Sequence, residues 1–155
     1  MTTEKPKFAT YVFDVDGCLV DSLTGSSLRP SAAELLGRLA SAGADLRLWS
    51  AGGAGYAEER ARQHGIDELF SGFHGKADRD VHGRYVATFV NDLDGVVFVD
   101  DRPEDMPNGA SVVALSPYLS PNPHDVALLR TARSLLETLD RHEEATNDGR
   151  SSPSQ

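Results

Sequence analysis

The apolar pattern begins with KFATYVFD (residues 7–14), a run with almost no polar alternation that stops at Asp14. A run of this kind reads as a strand buried on both faces, the signature of a parallel sheet. DLRLWS (45–50) reads as a second short strand, GVVFVDD (95–101) and SVVAL (111–115) as two more, and a short strand is predicted near Leu69–Phe73. Helical spacing alternates with these runs. Ser31 and Glu34 form an S-x-x-E capping box. Behind it Leu35, Leu36 and Leu39 share one face, and Gly43 can close the helix. YAEERARQHG (56–65) reads as a helix ending at Gly65. In RYVATFVNDL (84–93), Val86, Phe89, Val90 and Leu93 follow i, i+3, i+4, i+7, which predicts another. From Asp125 a last amphipathic helix carries Leu128, Ala132, Leu135 and Leu139, with Leu129 and Leu136 widening the stripe.

Strands alternating with helices predict parallel βαβ units, hence a single-domain, doubly wound α/β sheet of Rossmann-like form. The domain is expected over 7–140, with a flexible leader at 1–6 and a disordered polar tail at 141–155. A length of 155 residues and 39% hydrophobic content suit one core and no second domain.

In such a sheet the working crevice lies at the carboxyl ends of the strands. Here those ends carry Asp14 and Asp16, then Ser50, then Asp100 and Asp101, with Asp105 four residues on. Turn chemistry alone explains D-x-D-G, where Gly17 follows Asp16, and a helix cap explains one aspartate of the second group. Neither explains both acidic groups meeting at one edge, where their repulsion calls for a cation. An all-oxygen set suits Mg²⁺ and lacks the Cys and His of a zinc site. Ser50 and the turn Ala51, Gly52, Gly53 before a helix form a phosphate cradle, or equally a cap and a flexible turn. Lys76 is one of three lysines, and the other two, Lys5 and Lys7, lie in or beside the leader. It is a candidate partner for a carboxylate or a phosphate, against the plain alternative of a solvated loop lysine.

Other residues weigh less. Cys18 reads as a small buried hydrophobe rather than a nucleophile, Trp49 as core, and His74 and His82 as surface residues flanking Lys76. Arg102 either offsets the acidic pair or touches substrate. The net charge of −9 opposes nonspecific binding to nucleic acid or an anionic membrane, so a nucleic-acid substrate is disfavoured. One cysteine allows no intrachain disulfide, and the N-terminal stretch has no signal-like apolar core; a cytoplasmic protein is expected. No apolar run reaches membrane-spanning length.

The ordered set Asp14-x-Asp16-Gly17, Ser50, Lys76, Asp100-Asp101 resembles the haloacid dehalogenase superfamily over roughly Phe8 to Leu115. The resemblance implies a Mg²⁺-dependent phosphatase. Asp14 would be the nucleophile that becomes an aspartyl-phosphate, and Asp16 the general acid and base. Ser50, Ala51, Gly52 and Lys76 would hold the phosphoryl group. Mg²⁺ would sit between the Asp14 carboxylate, the Asp16 carbonyl and Asp101, supplemented by Asp100 and Asp105. The pair reads Asp-Asp where the family commonly has Gly-Asp, so the direct ligand stays open between Asp100 and Asp101. Only 27 residues separate Ser22 from Ser50, and 25 separate Ser50 from Lys76. No cap domain fits either gap, so an open site is expected, accepting a small phosphorylated molecule or an exposed phosphate of a macromolecule. Some capless members close the site by oligomerising. A receiver-like signalling domain uses similar groups in a different order, with its acidic pair first. A catalytically idle phosphate-binding relative is the remaining alternative.

Overall fold

The computed structural model describes residues 9–137. Among the described residues five strands form one sheet: β1 (Thr10–Asp14), β2 (Asp45–Ser50), β3 (Gly72–Gly75), β4 (Val96–Asp100) and β5 (Ser111–Ala114). All neighbours are parallel and the order is β3-β2-β1-β4-β5. The order reverses between β1 and β4, so a crevice opens there at the carboxyl ends. The register places Asp14 beside Trp49 and pairs Phe13 with both Leu48 and Val99.

Period-2 alternation sorts the strand residues onto two faces. Tyr11, Phe13, Leu46, Leu48, Val97 and Val99 share one buried cluster with the helices. These are α1 (Ala32–Ser41), α2 (Ala54–Gln63) and α3, which runs from 127 to 137 within the described residues. Val12, Trp49, Val96 and Phe98 belong to the other cluster. Both helix ends that were read from glycine hold. Gly43 (φ 93°) follows α1, with Ala44 N–H donating to Leu39 O at 3.0 Å. Gly65 (φ 72°) follows α2, with Ile66 N–H donating to Ala61 O at 2.9 Å.

Four local expectations change. Residues 84–93 form no helix. They cross the second face as an irregular segment, pressing Tyr85, Ala87, Phe89, Val90 and Leu93 against the Trp49–Phe98 cluster while Val86 stays exposed. β-branched and aromatic residues favour this over a helix, and tertiary packing rewards it. Ser31 precedes α1 at φ 75° and its hydroxyl caps nothing. The capping geometry needs an extended backbone at that position, which a left-handed residue does not supply. The strand predicted at 69–73 is shifted: a 3₁₀ turn occupies Asp67–Leu69 and the strand follows at Gly72–Gly75. In α3, Leu128 and Leu135 are buried and Leu136 packs beside them, but Leu129 is exposed. Leu139, the leader and the tail lie outside the described residues.

A buried arginine joins the first loop to the C-terminal part. Arg29 is 1% exposed. It donates to both Asp125 oxygens (2.8 and 3.2 Å), to Ser116 O (2.6 Å) and to Cys18 O (3.2 Å), with Tyr118 over its guanidinium. Tyr118 N–H in turn donates to Gly17 O at 2.8 Å. A fully buried guanidinium is tolerable only because its donors are engaged. Burial by itself would raise Asp125, but the hydrogen bonds from Arg29 prevail and hold it below its ordinary value. The pair therefore stabilises fully above the ordinary carboxylate pKa, about 3.9, and its contribution is lost as pH falls through the lowered value. Asp125→Ala should cost about 3 kcal/mol at pH 7 by denaturant unfolding, and the difference from wild type should shrink towards pH 3.

Candidate active site

The strand ends deliver the charged residues to one edge. β1 ends at Asp14, β2 at Ser50, β3 one residue before Lys76 and β4 at Asp100. Asp14, Asp100 and Asp101 offer carboxylate oxygens within 4.8 Å of one another. Lys76 lies between two of them, its Nζ donating to Asp14 Oδ1 at 2.9 Å and Asp100 Oδ2 at 3.0 Å. The Lys76 side chain is 7% exposed, so it is no solvated loop lysine. Trp49 and Tyr85 wall the ammonium, each ring centroid 5.5 Å away. Asp100 also accepts the Arg102 N–H at 2.8 Å.

One ammonium does not balance three carboxylates. Burial pushes Asp14 up to about 8; Lys76 opposes the push and the Asp100 charge adds to it. Burial lowers Lys76, but Asp14 and Asp100 outweigh it and leave its pKa raised, so it stays charged. Gly17 allows the third carboxylate in. Its φ is 80°, and a Cβ there would stand 2.7 Å from Asp101 Oδ2. Beneath it, burial and then the charge of Asp14 push the Cys18 thiol up, and Sγ reaches Val99 O at 3.5 Å. Cys18 is thus a packed thiol.

Asp16 belongs to a different arrangement. Its two oxygens accept the Tyr56 hydroxyl at 2.8 and 3.0 Å, and Arg60 Nε donates to that hydroxyl at 3.2 Å. Ser50 is buried, and its Oγ accepts the Gly52 N–H at 3.0 Å. That amide is engaged within the turn; Ser50 and Ala51 line the cavity, while Gly52 does not. The cavity, about 350 Å³, is open to solvent and reaches Asp14, Asp16, Lys76, Asp101 and Asp105, with Arg79 and Arg102 at its wall. Asp105 stands outside the carboxylate trio, 4.0 Å from Arg79 Nη1. His74 stacks on Phe89, with centroids 3.9 Å apart, and His82 is exposed; neither lines the cavity.

The model of the NLI interacting factor-like phosphatases matches residues 9–147. The chain belongs to that family. Among solved structures, it resembles a variant of the fission yeast RNA polymerase II CTD phosphatase Fcp1 bound to beryllium fluoride. That match has 17% identity and a TM-score of 0.56, and covers 90% of this chain and 53% of the other. A second Fcp1 structure, of an essential RNA polymerase II CTD phosphatase, gives 15% identity and a TM-score of 0.56, covering 96% and 56%. The chain thus spans about half the length of these structures. No curated protein sequence matches. The expected capless phosphatase of haloacid dehalogenase type is met at the level of family and fold. Among the described residues no helix is long and apolar enough to cross a membrane.

Tyr56 and Arg60 had no sequence signal beyond an ordinary polar helix, Tyr85 was hidden by the helical reading of 84–93, and Arg79 stood in a stretch with no motif. Lys76→Met should lower stability by about 3 kcal/mol at pH 9 in chemical unfolding, because two buried carboxylates lose their partner. The loss should be smaller at pH 5, where Asp14 is protonated and needs the ammonium less.

Proposed function

We propose that the protein hydrolyses phosphomonoesters through an aspartyl-phosphate on Asp14, with Mg²⁺ as cofactor. Its substrates would be phosphates exposed on a macromolecule, foremost a phosphorylated protein. The observation that carries this reading is the buried, lysine-paired Asp14 carboxylate at the floor of an open cavity, in a chain of a phosphatase family. An uncapped cavity imposes no size limit on what bears the phosphate, and the similar Fcp1 structures are of polymerase CTD phosphatases. Lys76, Arg79 and Arg102 share the cavity with five carboxylates, so a bound dication would be needed to make it attractive to a phosphate. A cytoplasmic setting is proposed with it, in keeping with the one buried, free cysteine.

The placement of the residues supports the following roles. Asp14 attacks phosphorus as the bond to the ester oxygen breaks, and Asp16 gives the departing oxygen its proton. Water then attacks the phosphoaspartate, returning a proton to Asp16 as the Asp14–phosphorus bond breaks. Ser50 and Ala51 hold the phosphoryl oxygens, and Lys76 offsets their charge. The all-oxygen trio fits Mg²⁺. Asp14, Asp101 and the Asp16 carbonyl would hold the ion, which supplies positive charge beside anionic nucleophile and substrate. Asp100, already engaged by Lys76 and the Arg102 amide, supports Asp101 as the direct ligand.

With Mg²⁺, the purified protein should hydrolyse p-nitrophenyl phosphate and release phosphate from phosphopeptides. Asp14→Asn should reduce kcat by at least about 10⁴-fold while leaving the circular dichroism spectrum unchanged. Inactivity across phosphopeptides, sugar phosphates, nucleotides and 3′-phosphorylated oligonucleotides would end this reading. Because Asp14 is raised to about 8, Mg²⁺ must displace its proton. Calorimetry in buffers of different ionisation enthalpy should show proton release on binding near pH 6.5, and an affinity that climbs as pH rises towards 8.

A further inference from the structure

We infer that Tyr56 and Arg60 form a positioning relay that aims the Asp16 carboxyl, and that proton delivery to the leaving group depends on it. The inference rests on the phosphatase reading above.

Asp16 follows the end of β1 in a loop, where its side chain needs an external hold. It comes from α2, whose residue Tyr56 presents one hydroxyl to both oxygens of Asp16. A hydroxyl has one proton to donate. Arg60, one turn on, fills an acceptor position of the same oxygen at 3.2 Å, so that proton is directed at Asp16. Arg60 is itself steadied: its Nη1 donates to Gln63 Oε1 at 2.7 Å, and its guanidinium lies 5.1 Å from the Tyr56 ring centroid.

Two glycines make room for the relay at its two ends. A Cβ on Gly52 would stand 2.7 Å from Tyr56 Cδ2, and one on Gly25 would stand 2.8 Å from Arg60 Cζ. Gly52 has an ordinary backbone conformation, so space for the ring is a local reason for glycine there. The relay also leaves Asp16 apart from the trio that clusters around Lys76. Two carboxylates two residues apart thereby serve separate tasks, since their orienting partners come from different elements.

In the first step the ester P–O bond breaks, the Asp14–phosphorus bond forms and the Asp16 proton passes to the leaving oxygen. An alkoxide needs that proton, whereas p-nitrophenolate departs without it. Removing the relay should therefore harm alkyl phosphates selectively.

The test compares kcat/KM for p-nitrophenyl phosphate and a phosphoserine peptide in wild type, Tyr56→Phe and Arg60→Gln, with Mg²⁺ saturating. Tyr56→Phe should lose about tenfold more on the phosphoserine peptide than on the aryl ester, with the loss in kcat rather than KM. Arg60→Gln, on the helix surface, should show the same selectivity in smaller measure. Melting temperatures and calorimetric Mg²⁺ affinities should stay near wild type. Equal losses on the two esters, or none, in an active enzyme would overturn the relay while leaving the phosphatase reading intact. An inactive wild type would overturn both.

Discussion

Lys76 is the charge on which the site depends. Three carboxylates converge where the sheet order reverses, and the ammonium is held 2.9 and 3.0 Å from two of them. In the low dielectric of that crevice, bare carboxylates at such spacing repel strongly. The fold meets this constraint in several ways at once. β3 stops one residue before Lys76 and delivers it from the side. Trp49 and Tyr85 dry the ammonium, which strengthens its pull. Gly17 admits Asp101 by having no side chain of its own. What repulsion remains is what makes a dication welcome.

The irregular segment 84–93 has a part in this. It supplies Tyr85 to the Lys76 wall and Phe89 to the Trp49 cluster, while Arg79 packs 4.0 Å from the Tyr85 ring. A helix with the same apolar spacing would have buried one stripe and sent the intervening side chains elsewhere. The second face of the sheet is thus covered by a piece of chain that also lines the cavity.

The strands were legible because burial leaves largely apolar runs, and the β1, β2 and β4 runs end on polar residues that line the cavity. Asp14, Ser50, Asp100 and Asp101 could be placed by that rule alone. Lys76 was legible by its isolation in the sequence. The rest needed three dimensions. Arg29 and Asp125 are 96 positions apart, and no local pattern announces their pairing. Tyr56 sits in a helix that looks merely polar, and its role depends on how near α2 passes to the β1 loop. Periodicity could not tell 84–93 from a helix, since an irregular segment can space its apolar residues the same way. The Ser31 capping motif failed because the backbone preceding α1 is left-handed there.

Arg29 also gives the molecule an order of assembly. The end of β1, which carries Asp14, is synthesised before the groups that fasten its loop. The groups that fasten its loop, Ser116 O, Tyr118 N–H and Asp125, come about a hundred residues later. Lys76 and the second acidic pair also emerge after it. A growing chain therefore carries Asp14 long before that residue can be buried, paired and aimed. The paired acidic cluster is thus a property of the assembled sheet and of no single stretch of chain.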